Sequence, residues 1–480
     1  MGTGIDRKQS HARGRRKSDN PGTAVGIAED LAPNTRAPEA PRRSSRELTA
    51  ARAAMEILFG PSETRIFAVR FWNGETDGPD DSAPSFTLVL NHPGTLRRML
   101  RPPFELSICR AFIAGDYDIL GDVERATELG NNLHGDLANP VRLARLTRAL
   151  LSLPTKDTPP PYPAVRAPSP EIGTLHTPER DAAAVRSHYD VGNDFYRLWL
   201  DKRMVYSCAY FTNSYVSLDE AQEAKLEHIC RKLRLTPGET VLDVGCGWGG
   251  LIMHAAERFG VSAVGITLSY EQAAFAREQI KARGLSSQCT VEVRDYRHLT
   301  AIGEFDKIAS VGMVEHVGRA NLSVYFDRLH AYLRPGGLLL NHGIVHAAAH
   351  DKPNLREKIF NKIWGDNAFI NEYVFPDGEL PELSEVIATA EAAGFETRDA
   401  ESLREHYALT LRHWVRNLER ERAAAVASVG EEVYRIWHLY MAASAFGFAS
   451  GRLALDQVLL AKPIGNGTAV IPLTRADIYA

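Results

Sequence analysis

A doubly wound α/β fold with a mainly parallel sheet, preceded by a small mixed α/β domain, follows from three observations. An apolar run stops abruptly in a glycine-dense turn at residues 240–250. Further short apolar runs then alternate with segments of helical periodicity. Ahead of them, a proline-rich stretch sets off a separate apolar region. Strands alternating with helices imply a parallel sheet covered on both faces.

The elements read in chain order. Residues 1–45 are rich in Arg, Lys, Gly, Pro and Ser, with a cluster at Arg13, Arg15, Arg16 and Lys17. They hold too few large apolar side chains to offset the entropy of ordering and read as a disordered tail. Residues 46–151 regain apolar runs at 65–72, 86–90 and 106–113 and form the small domain. Residues 152–179 are a linker, in which Pro159, Pro160 and Pro161 hold the chain extended.

The large domain spans 180–465, and 466–480 is a C-terminal tail. Its first strand carries Val241, Leu242 and Val244, as expected of a strand covered on both faces. A helix follows at 251–259. Runs at 261–266, 289–293 and 305–311 are the next three strands, 338–340 is the core of a fifth, and 453–463 is a final one. The helix at 431–450 carries Trp437, Tyr440, Phe446 and Phe448 among other apolar groups, too many for a one-sided stripe, so it packs in the core or walls an apolar pocket. Residues 355–375 mix Ile359, Phe360, Ile363, Trp364 and Phe369 with Lys358 and Lys362, which suits a lid over an apolar chain with a charged headgroup.

Composition narrows the function classes. A net charge of −4 gives no support to bulk nucleic-acid binding. The cysteines, Cys109, Cys208, Cys230, Cys246 and Cys289, are odd in number and contain no C-x-x-C pair. That favours a reducing cytosol over a disulfide framework or a zinc site. No apolar run approaches the roughly 20 residues needed to span a bilayer, and no signal core follows the N-terminal charges. A cytoplasmic protein, at most peripheral to a membrane, is expected.

The turn carries the first chemical clue. Asp243 precedes Gly245, Gly247, Trp248 and Gly249, and alternate glycines let a ligand approach the backbone without meeting a Cβ. The ligand of such a unit lies beyond the carboxyl end of the strand. The spacing is neither the dinucleotide pattern nor a phosphate loop. It resembles the first motif of S-adenosylmethionine-dependent methyltransferases. No acid follows the second strand, where many of these enzymes bind the cofactor ribose; Thr267, Ser269 and Gln272 offer neutral partners, with Gln272 the expected ribose contact. Asp295 is placed to accept from the adenine amino group and Tyr296 to pack on the ring.

Further motifs stand at residues 187–211, 312–318, 341–344, 371–376 and 405–411. With them the chain closely resembles cyclopropane-fatty-acyl-phospholipid synthases and the mycolic acid cyclopropane synthases over about 180–463. Residues 111–122 resemble the N-terminal domain of the phospholipid-acting members. The resemblance implies a Rossmann-like class I methyltransferase that adds a methyl carbon to a cis double bond of an unsaturated phospholipid acyl chain, with Tyr206 and Ser207 joining the cofactor set. It also implies a bound bicarbonate that takes the proton lost on ring closure, in a pocket of Cys208, Glu315, His342, Ile344 and Tyr407. Ile344 would contribute through its backbone and Glu315 by hydrogen bonding, since a second free negative charge would repel the anion. Tyr206, Tyr210, Phe211, Tyr296, Trp364, Phe369 and Tyr373 are candidates to shelter the intermediate carbocation. A peripheral contact with the inner membrane surface is implied, and a homodimer is compatible with it. The alternatives are a methylene- or methyl-branching enzyme of the same family, a small-molecule N-methyltransferase and a non-catalytic lipid binder. His342, His346 and His350 recur at helical spacing, but His342 is expected on a strand, so no metal is assigned.

Overall fold

Residues 45–80, 83–137, 139–155, 177–189, 191–299, 304–347, 358, 362–365, 367–376, 378–469 and 471–479 are described by the computed structural model. The expected tail up to residue 44, the linker from 156 to 176, and residues 355–357 and 359–361 of the expected lid lie outside them, as does His350.

Four short strands come first: β1 (Ala68–Arg70), β2 (Thr76–Asp77), β3 (Phe86–Leu90) and β4 (Tyr117–Gly121), in the order β2-β1-β3-β4. The apolar run at 106–113 lies in helix Phe104–Ile113. Seven strands form the large sheet: β5 (Thr240–Val244), β6 (Ser262–Thr267), β7 (Cys289–Val293), β8 (Phe305–Val311), β9 (Leu333–His346), β10 (Glu396–Ser402) and β11 (Leu453–Ala461). Their order is β10-β11-β9-β8-β5-β6-β7. The strands from β9 to β7 are parallel, while β11 and β10 are each antiparallel to their neighbours.

Because β6 and β8 flank β5 on opposite sides, the strand order reverses there, and the carboxyl ends of β5 and β8 open a crevice. Two departures from the sequence reading have physical causes. β9 continues past Leu340 because β11 pairs with it from Leu338 opposite Ala461 to His346 opposite Leu453. β10 was unread because Glu396, Arg398, Asp399 and Glu401 mask any apolar alternation; it is the edge of the sheet, where charge blunts an unpaired strand.

Helices flank the sheet. Leu218–Lys232 starts from a reciprocal capping box of Ser217 and Glu220. The helix expected from residue 431 already begins in Arg422–Ala449, which breaks at Gly430 (φ 82°).

The small sheet shares one core with the helices Arg404–Arg420 and Arg422–Ala449, while most strands of the large sheet pack in two further clusters. A single cluster of buried side chains runs from Val69 and Phe112 through Trp364 to Trp437 and Phe448. Phe104 meets Trp364 at 6.2 Å and Phe112 meets His438 at 6.4 Å between ring centroids. Ion pairs join the same regions: Arg110 to Glu372 (2.6 Å), Arg412 to Glu124 (2.6 Å) and Arg435 to Asp118 (2.5 Å). Such partly exposed pairs contribute modestly, so ring burial carries most of the association. Among the described residues, no helix is long and apolar enough to cross a membrane.

Candidate active site

The turn after β5 forms the floor of a cleft of about 130 Å³ at the strand-order reversal. The N–H groups of Gly245 and Cys246 both donate to Ile266 O, at 3.0 and 2.9 Å, which pins the turn to the end of β6. Gly245 has φ 83°, and a Cβ there would lie 2.6 Å from Met313 Cγ, because the loop after β8 lays Met313 over the turn. No atom lies within 4 Å of a Cβ built on Gly247, which is the open space a ligand needs. Gly245→Val is expected to abolish S-adenosylmethionine binding in calorimetry, since both the backbone and Met313 would have to move. Wild-type affinity in a folded variant would remove the turn from the site.

Ten predicted cofactor residues line the cleft: Tyr206, Ser207, Asp243, Gly245, Gly247, Trp248, Thr267, Gln272, Asp295 and Tyr296. The other two, Gly249 and Ser269, stand behind it as helix caps. Gly249 precedes helix Gly250–Phe259, and Ser269 Oγ accepts from Gln272 N at 3.3 Å to start helix Tyr270–Ala282. At the end of β6, Thr267 Oγ1 donates to Gln272 Oε1 at 2.8 Å, so this corner is buried and neutral. Both oxygens of Asp295 are held by Arg297, at 2.8 and 2.6 Å, and Arg297 reaches on to Asp181 at 2.9 Å. Tyr296 lies beneath that guanidinium, 5.3 Å from its ring centroid.

Two buried charges underlie the other end. Asp243 is 2% exposed and its Oδ1 has no hydrogen-bond partner among the described residues; burial raises its pKa to about 7. Lys225, equally buried, donates from Nζ to Ser207 Oγ at 2.8 Å, and burial lowers its pKa to about 8. A buried oxygen without a donor calls for a ligand group that supplies one. These residues therefore fit S-adenosylmethionine: neutral partners toward the ribose, an aromatic ring beyond, and opposite charges for the amino-acid portion.

The cleft adjoins a second cavity of about 230 Å³, with Tyr189, Tyr206, Gly312 and His316 lining both. Glu315, Ile344 and Tyr407 line it. Ile344 N donates to Glu315 Oε1 at 2.8 Å, so the backbone of Ile344 orients that carboxyl instead of facing an anion directly. Glu315 Oε2 is sealed from solvent without a partner among the described residues, and burial raises the pKa to about 7. Burial also pushes the Tyr407 hydroxyl well above the usual phenol range.

His342 and Cys208 flank this cavity without lining it. His342 lies within β9, two residues from Ile344, with Nδ1 3.0 Å from Gln457 Nε2; burial keeps the ring neutral. Cys208 turns its thiol toward Ala209 O (3.2 Å) and Leu403 O (3.7 Å), and burial pushes the thiol pKa up.

The family described as mycolic acid cyclopropane synthetase matches residues 176–458. The chain belongs to this family. A probable fatty acid methyltransferase of Pseudomonas putida is 40% identical over 413 residues, 86% of this chain and 95% of the relative. The cyclopropane-fatty-acyl-phospholipid synthase of Escherichia coli (strain K12) is 35% identical over 306 residues, 64% of this chain and 75% of the relative. The crystal structure of mycolic acid cyclopropane synthase CmaA1 with SAH and CTAB matches with a TM-score of 0.55 at 34% identity, covering 58% of this chain and 98% of that one. The chain is thus an S-adenosylmethionine-dependent methyltransferase of class I fold, as the sequence resemblance implied.

In this member of the family, most of the expected aromatic shield lies elsewhere. Tyr206 stands between the two cavities and Tyr296 in the cleft. Tyr210 stacks between His228 (4.3 Å) and His406 (4.8 Å), and Phe211 stacks on His413 (5.5 Å). Trp364 and Phe369 face the small domain, and Tyr373 packs on Phe369 at 5.7 Å. Tyr189, Phe375, Tyr440 and Phe448 supply the rings of the second cavity instead. All four fall in segments the sequence singled out, but chain position alone does not show which way a ring points. Lys225 was missed. Its signal is that Leu218, Ala221, Gln222, Lys225, Leu226 and Ile229 share one buried face at helical spacing, where a lysine needs a polar partner.

Proposed function

We propose that this enzyme adds the methyl carbon of S-adenosylmethionine to a cis double bond of an unsaturated phospholipid acyl chain and closes a cyclopropane ring. The observation that carries this reading is the junction at Tyr189, Tyr206, Gly312 and His316, where the cofactor cleft adjoins a second cavity walled by aromatic rings and holding the buried Glu315 carboxyl. The cofactor supplies an electrophilic methyl group, and the alkene that takes it up becomes cationic. Tyr189 and Tyr206 line that junction, where aromatic rings shelter positive charge without reacting. Burial keeps both phenols protonated, so neither traps the cation as a phenolate.

Ring closure requires the added methyl to lose a proton. Bicarbonate fits this role, because Glu315, protonated below about pH 7, can donate to an anion rather than repel it. Tyr407, also protonated, is a second donor lining the same cavity. His342 and Cys208 act from behind as positioning residues. The name of the E. coli relative supports a phospholipid substrate. On this reading the enzyme works in the cytoplasm at the inner membrane surface, with residues 46–151 as a lipid-facing domain and 180–465 as the methyltransferase domain.

The name of the P. putida relative favours a second reading, methyl branching without ring closure, which needs a hydride donor. Trideuteromethyl cofactor separates the two. Cyclopropanation should leave two deuterons in the added carbon of a product that resists alkene-selective derivatisation, with no flavin or nicotinamide requirement. A methyl group retaining all three deuterons would establish branching, and an exocyclic alkene would show that closure had failed.

A further inference from the structure

A third cavity, of about 520 Å³, lies between the small sheet and helix Arg422–Ala449. Its walls are apolar: Leu58, Phe86, Leu96 and Ile119 from the small domain, Leu439 and Phe446 from the helix. Glu105 and Arg452 are the charged groups in its wall, and neither belongs to a buried residue, so no sealed charge is available there for a polar headgroup. This cavity adjoins the active site. His346, Asn367, Ile370, Ser444 and Leu453 line both it and the second cavity, just as Tyr189, Tyr206, Gly312 and His316 line both the second cavity and the cofactor cleft.

The three spaces therefore follow one another in a fixed order. A chain whose reacting carbons sit at the cleft junction, and which extends away from the cofactor, passes Ile370 and Leu453 and enters the small domain. A concave, mainly apolar surface of this size gains stability when an apolar ligand covers it and removes it from water. We infer that the third cavity holds the methyl-terminal end of the reacting acyl chain, so that the small domain selects substrates by the length beyond the double bond. This inference rests on the acyl-chain reading of the active site. It goes beyond that reading by giving residues 46–151 a place in the substrate channel and not only at the bilayer.

The wild-type full-length protein tests it without turnover. It would be incubated with S-adenosylhomocysteine and phosphatidylglycerol vesicles whose cis-unsaturated chain ends in a diazirine, then irradiated and mapped by mass spectrometry. Adducts on Ile108, Ile119 or Leu129 are expected. Adducts confined to the large domain, or none at all, would overturn the proposal.

Kinetics gives an independent arm. With the double bond fixed relative to the carboxyl, kcat/KM should rise about fourfold for each added methyl-side methylene that reaches the cavity, from ~0.8 kcal/mol per buried methylene. Ile119→Trp should flatten that dependence while leaving the rate on the shortest chain within about twofold. An unchanged length dependence in a folded Ile119→Trp protein would also overturn it; if the variant does not fold, the photolabelling decides. Absence of methyl transfer to any phospholipid alkene would instead defeat the functional reading, and the two failures are separable because photolabelling requires no reaction.

Discussion

Glu315→Gln is expected to lower turnover by about 100- to 10,000-fold and to raise the melting temperature by a few degrees at pH 8. The loss of rate follows from the proposed proton-transfer step, in which an oriented acid holds the anion that receives the methyl proton. Glutamine keeps the oxygen that accepts from Ile344 N at 2.8 Å, so the local backbone is preserved, but it cannot act as the acid. The gain in stability follows from the same burial. Folding raises the Glu315 pKa from 4.5 to about 7, so between those values the folded chain keeps a proton that the unfolded chain has released. Wild-type stability therefore falls as pH rises from about 4.5 to about 7, by up to ~3 kcal/mol, and stays reduced above that. Glutamine is neutral throughout and avoids this cost. Asp243, with its pKa also raised to about 7, imposes a loss of the same sign on both proteins, so their difference isolates Glu315. Thermal melts at pH 5 and pH 8, with turnover and cofactor affinity, check the prediction. Equal melting shifts at both pH values would refute the buried-acid argument, and full activity would take Glu315 out of the chemistry.

Truncation before residue 152 is expected to yield an aggregating protein, not a soluble cofactor-binding half. The sequence treats residues 46–151 as an appendage, whose loss should spare the sulfonium site. The shared core changes that expectation. Removing the small domain would uncover Trp364, Leu439 and Phe446 together, an exposed apolar patch of the kind that drives association. It would also strip Arg435 of Phe112 O at 2.9 Å, of Asp118 and of the Phe112 ring at 5.1 Å, leaving a largely buried guanidinium short of partners. Size-exclusion chromatography and calorimetry with S-adenosylhomocysteine would settle the matter. A monodisperse truncated protein with wild-type affinity would show that the domains fold independently.

Much of the site was legible before any coordinates. The strand into Gly245, Gly247 and Gly249 could be read because a buried strand and a ligand-facing turn impose local demands on residue type, and those demands show as apolar runs and alternate glycines. The same holds for β6, β7 and β8. Resemblance then placed Glu315, Ile344 and Tyr407, and the structure has all three lining one cavity.

What sequence could not show depended on which faces of distant elements meet. β10 was hidden because an edge strand has no need of an apolar run. Tyr210 and Tyr189 look alike in sequence, yet one stacks between histidines and the other faces the methyl-transfer junction. The proton held by Glu315 near neutrality arises from the walls packed around it, not from its neighbours in the chain. The adjacency of three cavities, through lining residues that they share, is likewise tertiary. Sequence by itself determined the parallel strands around the cofactor turn, the turn itself and the chemical groups, because those depend on local periodicity and backbone freedom. Only the folded packing decided their orientation, their protonation and the path open to a substrate, because burial and direction are properties of surfaces that meet only when the chain closes on itself.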